Sequence, residues 1–409
     1  MAEIRRYVGV GKEAVFGTPV AEQFHLDVTA ISLDSPDDPN LNYEGGIGRM
    51  QSIVVPGPYI PAGGVECAGD LSTLYYLMWI LLGNKVTTDN TSSTGTETLG
   101  NPDANGDLNA SFAETGPVVP GSIIIEQPSG TQVAHDDGFG RIVEDASSGV
   151  SGRVDYGAKT ISMSGLTPVT AVITDYDYGT FEHIITPTDD VENLFATLRC
   201  GKDVFEHGFT SCGFNSLGLA VEREFLNVSL DVMAQKDFKD TLKTKAQLKF
   251  IPERPMAFHQ VSFKWADYAA TQNFINCQVK GLALDIANNS DYEGGLGIGS
   301  RFPCEGYQGN LEITGQLQLK FASTDVLEDF WGDSAGASDN PSVNKEATIV
   351  LDSPYGDAEL AMPKMNLTAV NLQPSGRDRL IQTVSFRALY DQISDSIITG
   401  TFNVPTNFS

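Results

Sequence analysis

The segment Tyr43-Glu44-Gly45-Gly46-Ile47-Gly48-Arg49 returns as Tyr292-Glu293-Gly294-Gly295-Leu296-Gly297-Ile298-Gly299-Ser300-Arg301, and the residues flanking each copy match as well. A strand-like stretch precedes each loop (Leu26 to Leu33; Val279 to Ile286) and another follows it (Gly64 to Gly69; Gly309 to Phe321). Each copy then enters a helical pattern stopped by glycine, from Ser72 to Leu82-Gly83 and from Ser323 to Trp331-Gly332. A duplicated unit commits the chain to two like cores, and a repeat that carries no catalytic motif points to assembly rather than chemistry.

The loops stand too far apart for a simple tandem repeat in 409 residues, so the first copy must hold an insertion. After Gly83-Asn84 the composition changes: Thr87 to Ser111 is rich in Thr, Ser, Asn, Asp and Gly and reads as a flexible exit. Beyond it come short strand patterns at turn-punctuated intervals. They are Val118 to Glu126, a turn at Asp136-Asp137-Gly138-Phe139-Gly140, Gly152 to Gly157, Thr160 to Met163 and Ala171 to Tyr178. This predicts a small Ig-like β-sandwich at 86–181. Removing it leaves two units of ordinary domain length, 1–85 with 182–250, and 251–409. The fold class expected is mainly β, with two duplicated β-sandwich or barrel domains that each carry one short α-helix.

Strand alternation identifies a wet face. In Leu226 to Val232 and in Leu311 to Phe321 apolar and polar residues alternate, which places Asn227, Ser229 and Asp231, and Glu312, Thr314, Gln316 and Gln318, on solvated faces. A barrel or tube wall fits this, and so does an ordinary sandwich with a solvated outer sheet. In the first helix Leu74, Leu77, Met78 and Leu81 recur at helical spacing; in the second, Val326, Phe330 and Trp331 face inward and Glu328 and Asp329 outward. Both read as amphipathic lids on the sheets.

Charge and motifs narrow the function classes. A net charge of −27 repels a phosphate backbone, because nucleic-acid affinity depends on cations that displace condensed counterions. Such a surface confers solubility, or lets DNA pass without sticking. Five cysteines with no CxxC spacing (Cys67, Cys200, Cys212, Cys277, Cys304) read as buried thiols. The five histidines are scattered, so no metal site, cofactor or catalytic residue is expected. The glycines of both Tyr-Glu-Gly-Gly loops lie between strands, without the helix N-terminus that a phosphate cradle needs. Leu71 to Leu82 is too short to span a bilayer, and Met1 to Arg6 leads into no signal core, which predicts a protein without a membrane partner, made in a cytoplasm.

The opening Tyr7-Val8-Gly9-Val10-Gly11-Lys12-Glu13-Ala14-Val15-Phe16-Gly17-Thr18-Pro19-Val20 resembles the start of the tail tube (major tail) proteins of long-tailed bacteriophages. Arg49 to Gly57, the helix ending at Gly83, and Pro363-Lys364-Met365-Asn366-Leu367 leading to a final strand pair fit the same family in the same order. The resemblance implies tube domains whose sheets join between subunits into an inner barrel. With two such domains per chain, it implies homotrimeric rings of pseudo-sixfold symmetry that stack around a tape measure protein. Tail terminator and baseplate or tail-tip proteins would close the ends, and DNA would pass through the lumen without tight binding. On this reading the seven polar strand residues line the lumen. Tyr43, Glu44, Gly45, Gly46 and Arg49, with Tyr292, Glu293, Gly294, Gly295 and Arg301, form inter-ring loops. The insertion projects outward. The rival readings are another virion structural, decoration or baseplate protein, and a glycan-binding β-sandwich protein.

Overall fold

The computed structural model describes residues 6–37, 40–43, 53–94, 96–127, 130–145, 147–189, 194–275, 278–339, 344–372 and 380–408. Short runs rich in β-branched and aromatic residues, cut by Gly, Pro, Asn and Asp, fold as strands around two α-helices. The chain opens with β1 (Val8–Lys12), β2 (Phe24–Leu26), β3 (Val28–Ile31), β4 (Asn40–Tyr43), β5 (Ile53–Pro56), β6 (Ala62–Ala68), α1 (Leu71–Leu82) and β7 (Gly83–Ser93). Eight short strands follow: β8 (Glu97–Gly100), β9 (Leu108–Ser111), β10 (Ile124–Glu126), β11 (Gln132–Asp136), β12 (Arg141–Glu144), β13 (Ser151–Asp155), β14 (Thr160–Ser164) and β15 (Val172–Asp175). Then come β16 (Asp177–Pro187), β17 (Phe195–Lys202), β18 (Phe205–Val221), β19 (Asn227–Met233) and β20 (Lys236–Asp240). The rest comprises β21 (Val261–Asp267), β22 (Asn273–Phe274), β23 (Val279–Ala287), β24 (Glu312–Lys320), α2 (Asp325–Trp331), β25 (Asn344–Ser353), β26 (Gly356–Leu372), β27 (Ile381–Ala388) and β28 (Thr399–Val404).

One antiparallel pairing scheme occurs twice. In the first half β1 pairs with β2 and β17, the long β18 with β17, β19 and β20, β19 with β6, and β6 with β3. In the second half β21 pairs with β22 and β25, the long β26 with β25, β27 and β28, β27 with β24, and β24 with β23. Even the register breaks coincide. Val28/Ala30 against Cys67/Glu66 answers Val279/Gly281 against Leu319/Gln318, and Phe214/Ser216 answers Leu367/Ala369. Ala196/Leu198 likewise answers Lys345/Ala347. A bulge adds an unpaired residue and re-aims its strand, so the shared bulges bend both halves at the same points. One seam continues the sheet from half to half, with Ser216–Val221 of β18 antiparallel to Leu282–Ala287 of β23, and a second ladder, Phe181–Ile185 of β16 against Gly400–Val404 of β28, ties the halves elsewhere.

Thr87 to Ser111, expected as a flexible exit, is instead largely strand. All eleven residues of β7 pair with β16, from Gly83↔Pro187 to Ser93↔Asp177; Phe181–Ile185 of β16 also pair with β28, and beyond them the two strands run on as a two-stranded ribbon. β7 buries no face; its ladder and its strand-favouring threonines hold it extended. The ribbon leads to β8–β15, which form one curled eight-stranded sheet around their own core of Ile125, Tyr156, Ile161, Tyr176 and neighbours, rather than two separate sandwich sheets. This sheet is clamped to the body. The Tyr355 ring joins its core, and Gly157 leaves room for that ring, which a Cβ would approach to 2.5 Å. Arg141 donates to the carbonyls of Ala246 and Leu248 at 2.9 and 3.0 Å, and Arg254 pairs with Asp155 at 3.1 Å.

α1 is not the amphipathic lid expected. All its residues except Trp79 are buried, because β16, β17 and β18 and the second half's β26 and β28 pack around it. Its sequence, Leu-Ser-Thr-Leu-Tyr-Tyr-Leu-Met-Trp-Ile-Leu-Leu, is apolar on every side, as suits a helix enclosed by protein. Asp70 caps it by accepting from Thr73 N at 2.7 Å, and Gly83 ends it at φ 91°. α2 keeps a surface position: Val326 and Phe330 lean on the core, while Asp329 turns to Lys345 at 2.5 Å. Cys67, Cys200 and Cys212 are buried as expected. Cys304 is exposed, because it sits in the loop before β24, and Cys277 lies outside the described residues. No helix among the described residues is long and apolar enough to cross a bilayer.

At the start of α1, Ser72 ties three segments together. Its N–H and hydroxyl donate to Glu253, on the connection between the halves, and its hydroxyl lies 2.5 Å from Thr406 Oγ1 near the C-terminus. Burial first, then repulsion from Asp70, pushes the Glu253 carboxyl well above its ordinary value of 4.5. A group whose folded pKa is raised holds its proton more tightly in the folded chain, so its stabilisation is complete at acid pH and is lost as pH climbs from 4.5 through neutrality. Glu253→Gln should therefore raise the melting temperature by ~2 °C at about pH 8 and leave it unchanged at about pH 5, read by calorimetry. An equal shift at both pH values would contradict the assignment.

Candidate lumen-facing surface

The seam makes one surface from two halves. Across it, Glu66, Ser229, Gly218, Asp285, Thr314 and Arg387 stand opposite one another in consecutive strands β6, β19, β18, β23, β24 and β27. The neighbouring rows are Asp231, Ser216, Ala287 and Glu312, and Asn227, Ala220, Ala283, Gln316 and Ser385. Side chains of paired residues share a face. All seven polar residues expected on a wet face are therefore brought to the same side, with Gln318 flanked by Gly281 and Thr383, and none is buried. The opposite face carries the alternate row Val65, Leu230, Leu217, Ile286 and Ile313, each no more than 3% exposed. Fully burying such side chains contributes about 1.5–3 kcal/mol apiece. A register slip of one residue would exchange the two faces, so the alternation fixes which side stays wet.

The polar face is concave. Small residues Gly218, Ala220 and Ala283 lie at its centre and leave a hollow of 560 Å³, continued toward the Glu222–Phe225 turn by another of 480 Å³. Acids converge on it. Partial burial raises the pKa of Asp285, a hydrogen bond from Ser216 opposes this, and the charges of Asp231 and Glu312 push it further up. Asn215 donates to Asp231 at 2.7 Å, and Arg387 bridges to Glu312. Sequence alternation alone could have found Asp285 and Ala283, since Leu282, Leu284 and Ile286 bracket them; Ser385 and Arg387 became visible only once β24 was paired with β27. Among the described residues no group of three or more His, Cys, Asp or Glu side chains is arranged to hold a metal ion.

A family model described as phage tail tube protein matches residues 4–388. The chain belongs to that family. No curated protein matches it. As a tail tube protein it is a mainly β structural component of the virion tail.

In this tail tube protein the second Tyr-Glu-Gly-Gly loop is an internal clasp. Tyr292, expected at an external contact, is 1% exposed: its ring lies against Phe16 and Phe195, and its hydroxyl donates to Ser211 O at 2.6 Å. Gly295 is buried too, because a Cβ there would come within 2.0 Å of Glu305 O. Arg301 lies over the Tyr59 ring at 5.0 Å and accepts at its carbonyl from Tyr59 N at 2.8 Å, while Gln235 donates to Pro303 O at 2.9 Å. Phe16, Phe195, Ser211, Tyr59 and Gln235 all come from the first half. Glu293 and Gly294 remain exposed, with Ile298 wholly exposed at the tip. Of the first loop, Tyr43 ends β4, and Glu44, Gly45, Gly46 and Arg49 lie outside the described residues.

Proposed function

We propose that the chain is two tube domains, 1–85 with 182–250 and 251–409, carrying an outward module at 86–181, and that three chains close into a pseudo-hexameric ring. The observation that carries this reading is the recurrence of one pairing scheme with bulges at matching points on either side of the seam. Two halves of like shape that already form one concave polar sheet supply two of six wall segments. Closure by a symmetric ring would remove the open edges that otherwise invite aggregation. The rings stack into a conduit around a tape measure protein in the host cytoplasm, with terminator and baseplate or tail-tip proteins at its ends. Genomic DNA then slides past the wet face. A net charge of −27 and the acids at the seam repel the phosphate backbone. The function is mechanical, not enzymatic. Among the described residues, the exposed Glu293, Gly294 and Ile298 at one end of the sheet, and Phe225 and Phe258 at the other, offer ring-to-ring contact. Electron microscopy of the purified protein should reveal hollow rings or tubes with three chains per ring. Six chains per ring, or a protein that remains monomeric at all concentrations, would refute the proposal.

A further inference from the structure

Two of the open sheet edges match each other. Among the described residues no strand pairs with the outer edge of β3, or with Ala369–Leu372 of β26 beyond the end of β25. The shared bulges show what these edges are. Ser216, where β18 turns to meet β23, answers Ala369, and Ile31, opposite Val65, answers Leu282, opposite Leu317. The bridge Asp34↔Ala62 continues the β3 register, so Leu33 answers Leu284 and Asp34 answers Asp285.

We propose that Ala369–Leu372 of one chain pairs antiparallel with the Leu33–Pro36 segment of a second copy, in the register of the internal seam. This rests on the ring reading and names its interface. Transferring Leu219↔Leu284, Gly218↔Asp285 and Leu217↔Ile286 places Leu372 opposite Leu33, Asn371 opposite Asp34, and Val370 opposite Ser35. The faces agree. Leu33 is buried and Val370 packs on the core, while Asn371 and Asp34 point to the wet side. A groove of 420 Å³, lined by Arg6, Val28 to Asp34 and Gly201 to Asp203, runs along β3 where the incoming strand lies. In the single chain Lys202 guards this edge: its Nζ donates to Leu33 O at 3.2 Å and pairs with Asp34 at 3.1 Å. A lysine across a free strand end keeps it from pairing at random, and turning to Asp34 alone would release the carbonyl. The helices agree as well. α1 is enclosed by β26 and β28, whereas α2 is only half-buried, and the same rotation brings β18 and β20 of the next copy over it.

The test is a disulfide. In an antiparallel pair with the amides of Leu33 turned outward, Asp34 and Asn371 form a non-hydrogen-bonded pair, whose Cα atoms lie about 4.5 Å apart, within disulfide range. Asp34→Cys with Asn371→Cys, in a Cys304→Ser background, should give covalent dimers and a closed trimer on oxidation. Yield should exceed by at least about tenfold that of the off-register pair Thr29→Cys with Asn371→Cys. Mixing the two single-cysteine chains should give dimers and nothing larger. Rings visible by microscopy in which the Asp34→Cys, Asn371→Cys pair fails to cross-link, or equal cross-linking of the off-register pair, would overturn this register and leave the ring reading intact. If the Cys304→Ser parent forms no rings, both fall.

Discussion

Tyr292→Ala should lower stability by about 3–5 kcal/mol and split one unfolding transition into two. The ring fills a site between Phe16 and Phe195, and the backbone at Gly306 already stands so close that a Cβ there would lie within 3.1 Å of all three rings. Truncation also orphans the Ser211 carbonyl, which loses the 2.6 Å bond. The loss falls on the clasp between the halves, so the first half should loosen from the second before either melts. Urea titration followed by tryptophan fluorescence and by far-ultraviolet dichroism reads both effects; the two probes should coincide for the parent and separate for the variant. Tyr292→Phe keeps the packing and should lose only about 1 kcal/mol. A loss below about 1 kcal/mol for the alanine variant would mean the loop does not hold the halves.

The second large effect is functional. Asn227→Lys, Asp231→Lys and Gln316→Lys together should leave folding and assembly intact, since solvated strand positions away from the core change stability by about ±0.5 kcal/mol. The tubes they form should capture DNA. Each phosphate neutralised adds about 0.9 to the slope of log affinity against log salt, so binding should be strong at low ionic strength and collapse as salt is raised. Genome delivery by particles carrying the variant should fall by orders of magnitude while particle assembly continues. Variant tubes that hold no DNA and deliver it normally would show that these residues do not face its path.

Local chemistry made part of this legible from sequence. Alternation in Leu226–Val232 and Leu311–Phe321 depends only on the period of a strand, and it assigned the faces of β19 and β24 correctly. The glycine stop at Gly83 marked the end of α1 for the same reason, because the cap needs a positive φ. What alternation cannot supply is the partner. Nothing in Val279–Ala287 says that, besides β24 of its own half, it pairs along its other edge with β18, so the seam and the seat of Tyr292 were invisible. β7 was missed because its polarity is that of a loop; the β16 ladder, with the help of its threonines, makes it a strand. α1 was misjudged because part of its cover comes from β26 and β28, far along the chain.

The β7–β16 ribbon has one more consequence. Because Ser93 and Asp177 face each other across it, everything between them is, to the rest of the chain, the tip of a hairpin. A module whose two ends emerge side by side can be exchanged there, or replaced by a tight turn, without shifting the register of any strand in the tube wall. On the proposed ring reading, the outer surface of the tail would thereby be free to vary at a fixed docking point while the wall stays under the constraints of closure, and the ribbon would serve as a ready-made graft site for display on the particle.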